Sequence, residues 1–154
     1  MFDVPIIRNG IAGPLRPYLD IISGPIPDEF EPFIRAFWEA TEVLTRSVKI
    51  TKNAYAVISP SYPVTMNMEH GQLAFNPPEY AVHTYVEHLI FFDCQKSFGF
   101  PHAVQVAGIL EELCHVFMNV YNETVVPYVV CSLYREIRFF DGKYQPHPIE
   151  EGVG

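Results

Sequence analysis

The sequence predicts an α+β fold: a small mixed or antiparallel sheet packed with three main helices. Two observations carry that prediction. Apolar residues recur at three- and four-residue steps in separate stretches, the mark of amphipathic helices. The short β-like runs are grouped between helices instead of alternating strictly with them, which favours α+β over a doubly wound parallel sheet. At 154 residues the chain has the length of one domain that can bury its own core. With no internal repeat, linker or low-complexity segment, residues 1–154 read as a single domain.

The first 27 residues hold Pro5, Pro14, Pro17, Pro25 and Pro27, and proline fixes φ and removes a donor. An irregular arm with one short strand is expected over 1–27. Its Ile6, Ile7, Leu15, Tyr18, Leu19, Ile21 and Ile22 should lie against the domain or a partner subunit. Asp28 then offers a cap, and Phe30, Phe33, Ile34, Phe37, Trp38, Thr41 and Leu44 mark one face of a helix running to about Arg46. Val48–Ile50 and Tyr55–Ser59 read as strands joined by a turn at Lys52-Asn53. Gly71–Asn76 reads as a further strand, stopped by Pro77-Pro78. A second helix is expected from Glu79 to about Lys96, and a third from His102 to about Asn122, separated by Ser97–Pro101. Tyr128–Phe140 suits either helix or strand. Asp141-Gly142 is a turn, and 145–154 is expected to be a loose tail.

Composition removes several classes of function. The formal net charge is −8, from 10 basic and 18 acidic residues, with no basic cluster, so nucleic acid and anionic membrane are not expected partners. Hydrophobic residues make up 49% and charged residues 18%, a globular balance rich in aromatic rings. Cys94, Cys114 and Cys131 lack CxxC spacing and sit among apolar neighbours, so they read as small core hydrophobes. Neither a signal peptide nor a membrane-length apolar run is visible, which leads to the expectation of a soluble cytoplasmic protein.

The polar residues that suggest chemistry lie on the third helix. At ~100° per residue, Gln105, Gly108, Glu111, Glu112, His115, Asn119, Asn122 and Glu123 share a sector about 120° wide, and nearly all the rest is apolar. The sector carries three carboxylates and an imidazole with no Lys or Arg, whereas a solvated helix usually mixes charge signs. Glu111 and His115 are spaced i,i+4 and Glu112 and His115 i,i+3. Such groups can converge on one cation, which would relieve their mutual repulsion.

The run Ile109-Leu110-Glu111-Glu112-Leu113-Cys114-His115-Val116-Phe117 resembles the active helix of the zincin-like metallopeptidases, whose motif is His-Glu-x-x-His. The resemblance implies a zincin-like architecture, with zinc or another divalent metal as cofactor and a peptide or protein as substrate. Carried over residue by residue, it makes Glu112 the catalytic general base and His115 a metal ligand. Glu111 stands where the family has its first histidine, and Glu123 would serve as the downstream acidic ligand. An oxygen ligand at the first position adds negative charge and makes the site less selective for zinc. The run near Leu73–Phe75 would be the edge strand that pairs with an extended substrate.

Other readings stay open beside this one. Glu112-Leu-Cys-His115 also fits half of a di-iron carboxylate site, but no second Glu-x-x-His appears. His83 and Glu87, i,i+4 on the expected second helix, read as an exposed helical pair; His83 or His88 could supply a nitrogen ligand if the two helices lie side by side. No nucleophile elbow surrounds Ser59, Ser61 or Ser132, and there is no Gly-rich phosphate loop. The alternative of another class is a non-enzymatic interaction domain forming a homo-oligomer through its aromatic surface and N-terminal arm.

Overall fold

The computed structural model describes residues 1–148, apart from the side chains of Met66 and Met68. Its elements are α1 (Val4–Gly10), β1 (Leu19–Ile22), α2 (Glu31–Ser47), β2 (Ala54–Ser59), β3 (Val64–Met68), β4 (Gly71–Phe75), β5 (Thr84–Val86), β6 (Leu89–Asp93), α3 (Cys94–Ser97), α4 (His102–Phe117), α5 (Val126–Leu133), β7 (Ile137–Phe140) and β8 (Lys143–Pro146). The fold is α+β. Its main sheet is mixed, in the order β1-β2-β6-β5, with β1, β2 and β6 parallel and β5 antiparallel at one edge.

The N-terminal stretch is more ordered than its prolines suggest. Asp3 caps α1 by accepting from the Ile6 N–H at 3.1 Å, and Pro5 occupies the first turn, where its missing donor does no harm. The Trp38 indole N–H donates to the Ile7 carbonyl at 2.8 Å, tying α1 to α2. Gly10 is required by that contact, since a Cβ there would lie 2.0 Å from the Trp38 ring. The chain then enters the sheet as β1, with Leu19 opposite Ala54. Parallel neighbours need a crossover, and α2 supplies it. The expected hairpin of Val48–Ile50 with Tyr55–Ser59 therefore does not form; β2 pairs with β1 and β6 instead.

The helix expected over Glu79–Lys96 is replaced by β5, β6 and the single turn α3. Leu89-Ile-Phe-Phe92 is a continuous apolar run because both faces of β6 are covered. On one face Phe92 packs against Phe37 and Phe33 of α2, with ring centroids 5.5 and 6.1 Å away. On the other, Phe91 stacks on Phe75 at 3.7 Å, so the β3–β4 hairpin forms a lid over the back of the sheet. Asp93 ends the strand and caps α3 by accepting from the Lys96 N–H at 3.0 Å.

The ambiguous run Tyr128–Phe140 contains both candidates: α5 covers its start and β7 its end. Asp141 and Gly142 both have positive φ, 53° and 72°, the geometry of a tight hairpin turn into β8. Residues 145 and 146 of the expected loose tail are thus strand; 149–154 lie outside the described residues. Cys94 and Cys114 are buried and all three thiols are free. Among the described residues no helix is long and apolar enough to cross a membrane.

Candidate metal centre

α4 packs along α2 with its apolar side and turns Gln105, Gly108, Glu111 and Glu112 toward a cleft of about 1100 Å³. The far walls come from β5 and the β7–β8 hairpin, which contribute Tyr85 and Tyr144. The polar sector is therefore neither an open solvated face nor a buried seam. Gln105, Glu112 and His115 are all more than nine-tenths buried.

The helix ends sooner than periodicity alone suggests. Asn119 sits in the left-handed region, φ 56°, a conformation that asparagine tolerates better than most residues and that commonly terminates helices. Its side-chain oxygen accepts from Lys52 and from the Tyr121 hydroxyl. The reversal folds residues 120–123 back over the last turn of α4. Val120 offers its carbonyl to His115 Nδ1, and Glu123 Oε1 comes within 3.4 Å of His115 Nε2. Glu123 thus reaches His115 by a turn of the chain, not by two further turns of helix. Asn119→Gly is expected to keep this arrangement. Asn119→Val should lower stability by about 1–2 kcal/mol, read by thermal unfolding.

Glu111, His115 and Glu123 each present one ligand atom, and these atoms lie within 4.8 Å of one another. A carbonyl can only accept, so His115 must carry a proton on Nδ1; in the neutral ring, Nε2 then turns a lone pair toward the two carboxylates. Tyr85 stacks on the imidazole at 4.6 Å and fixes the ring plane. Tyr144 donates its hydroxyl to Glu111 Oε1 at 2.7 Å, orienting that carboxylate across the cleft. Burial raises the Glu111 pKa, and the Tyr144 hydrogen bond opposes that rise.

Glu112 lies beside this group with a different environment. Its Oε2 is buried and has no hydrogen-bond partner among the described residues. Burial, followed by the neighbouring charges of Glu111 and Glu123, pushes its pKa up to about 8. A proton held near neutrality is what acid–base chemistry needs.

His83 and His88 do not join the cluster. The expected helical pair with Glu87 is overturned by the β5–β6 hairpin, where Glu87 has φ 53° and His88 is exposed. His83 is buried, and its Nδ1 accepts from the Asp93 N–H at 3.0 Å. Burial and the nearby Lys96 charge depress its pKa to about 3, so the ring is neutral. Two residues at the cleft escaped the sequence reading, Tyr85 and Tyr144. The Asp141-Gly142 turn announced the hairpin that carries Tyr144, but nothing in the sequence aimed it at Glu111.

No protein-family model, curated protein or solved structure matches this chain.

Proposed function

We propose that this chain binds one divalent metal ion through Glu111, His115 and Glu123 and uses it, with Glu112 as proton carrier, to hydrolyse peptide bonds in a zincin-like manner. The observation that carries the reading is the convergence of those three ligand atoms, with the His115 ring locked by the Val120 carbonyl. One nitrogen and two carboxylates suit zinc, manganese or iron, and the added negative charge shifts preference toward the harder ions. A bound ion would polarise a carbonyl group and lower the pKa of a water. Once ionised, Glu112 would take the proton of that water and return it to the leaving amine. Tyr144 holds Glu111 in orientation, and Tyr85 holds His115.

The order of elements supports the same reading. A helix, a small sheet with an antiparallel edge strand, and then the ligand-bearing helix follow one another as the family resemblance implies. The edge strand on the cleft side of the main sheet is β5, at the opposite edge from β1; Leu73–Phe75 belongs to the separate β3–β4 hairpin. Only one side of β5 pairs within the sheet, and Thr84 and Tyr85 line the cleft. An extended peptide could add to its other side by backbone hydrogen bonds.

A second reading, a non-enzymatic interaction domain that forms a homo-oligomer, draws on the exposed rings of Tyr80, Tyr128 and Phe140. Metal content separates the two. Protein purified without chelators or a metal-affinity tag is expected to hold close to one divalent ion per chain by elemental analysis, and His115→Ala to hold none. Failure of the wild-type chain to retain zinc, manganese or iron after incubation would overturn the metalloenzyme reading.

A further inference from the structure

Gly108 lies in the interior of α4, where glycine is a poor helix residue. Packing does not require it: a methyl group there would meet only His83 Cδ2, at 3.8 Å, an ordinary contact. The missing side chain instead leaves a notch in the cleft wall, about one turn before Glu111 and Glu112.

His83 forms the opposite side of that notch. The Asp93 N–H donates to its Nδ1, so the ring proton sits on Nε2. The rings of Phe33 and Phe92 hold the imidazole edge-on, with centroids 5.8 and 5.2 Å away. The residue is 8% exposed, lines the cleft, and its Nε2–H has no hydrogen-bond partner among the described residues. This is a neutral donor on a rigid mount, reachable only by a group that enters the cleft. A carboxylate is a poor candidate for that group, because Glu111, Glu112 and Glu123 border the same space. A neutral carbonyl oxygen meets no such repulsion.

Gln105 supplies the complementary group. It lies three residues before Gly108 on the same helix face and is 5% exposed. Its Nε2 donates to the Phe100 carbonyl at 2.9 Å, which leaves Oε1 buried and without a partner among the described residues. His83 thus offers an unpaired donor beside a position with no side chain, and Gln105, one turn earlier on α4, holds an unpaired acceptor just beneath the surface. A peptide unit carries the complementary C=O and N–H.

We infer that the notch over Gly108 is a subsite for a backbone amide of an extended peptide, its carbonyl oxygen bound by His83 Nε2–H and its N–H directed at Gln105 Oε1. The inference deepens the proposed function and rests on it for the position of the scissile bond. It makes His83 a positioning residue and gives the substrate class as a peptide main chain lying along α4.

The test uses the full chain in a chelator with N-acetylglycine N-methylamide as probe, followed by NMR of the His83 ring proton and the Gln105 side-chain amide. A saturable shift of both signals is expected, with acetate at least about fivefold weaker as a ligand. Gly108→Ala should fold with an equal or higher melting temperature and bind the probe at least about tenfold more weakly, because the methyl fills the notch. No saturable shift at His83, equal binding of acetate, or unchanged probe binding in Gly108→Ala would each overturn the subsite. The titration needs no metal. Loss of the metal reading with a retained His83 shift leaves the subsite standing, and metal binding without the shift removes the subsite alone.

Discussion

Glu112→Gln is expected to lower peptide hydrolysis by about 10²–10⁴-fold while the chain stays folded, because the amide matches the carboxyl in shape but cannot take and return a proton. Its effect on stability should depend on pH. Burial, then the charges of Glu111 and Glu123, raises the carboxyl from an ordinary value of 4.5 to about 8 in the folded chain. Between those values the unfolded chain ionises while the folded chain keeps its proton. The wild-type contribution is therefore fully present below the unfolded value and is lost as pH rises through the folded one. The glutamine has no such dependence, so the balance should move in the variant's favour by on the order of a few kcal/mol between about pH 5 and about pH 9. Denaturant unfolding in a chelator at both pH values, beside a peptide-hydrolysis assay with metal added, checks the two effects. Retained turnover in Glu112→Gln would remove Glu112 from the mechanism. A constant difference in stability would show that its carboxyl is not held protonated by burial.

Phe37→Ala is expected to destabilise the fold by about 3–5 kcal/mol, the largest loss from any single side chain considered. The ring is fully buried on α2 and lies 6.4 Å from Phe33 and 5.5 Å from Phe92, joining the helix to β6. A small domain has roughly 5–15 kcal/mol in all, and each kcal/mol lost shifts the melting temperature by about 2–4 °C at this size. The melting point should fall by roughly ten degrees. Because α4 packs along α2, the ligand atoms of Glu111 and His115 should also be held less firmly. Calorimetry with and without added metal would read both effects. A loss below about 1 kcal/mol would mean that the Phe33–Phe37–Phe92 contact is not central to the core.

The expectations that held came from strong local signals. The face formed by Phe33, Phe37, Thr41 and Leu44 announced α2, and all four are buried. The contrast between apolar and carboxylate positions announced α4 and the residues it turns to the cleft. Asp141-Gly142 announced its turn, because few residues accept positive φ in succession. The failures have equally specific causes. Leu89–Phe92 is apolar throughout because β6 is covered on both faces, and an apolar run of that length has no period to distinguish strand from helix. The one short strand expected in the N-terminal arm is β1, but its pairing with β2 depends on a crossover across α2 that no local pattern contains.

What the sequence determined by itself was the fold class and the presence of a helix bearing Glu111, Glu112 and His115 toward one side, since helical periodicity places those groups before any long-range contact forms. What only the tertiary structure decided was their company. A left-handed Asn119 brings Glu123 onto His115, the β7–β8 hairpin lays Tyr144 on Glu111, and a β hairpin in place of the expected helix sets His83 over Gly108. These neighbours are separated by chain reversals and sheet pairings, and the identity of the residues does not encode the distance between them. A helix repeats every ~3.6 residues, but a site is assembled across elements, so its chemistry is settled by packing.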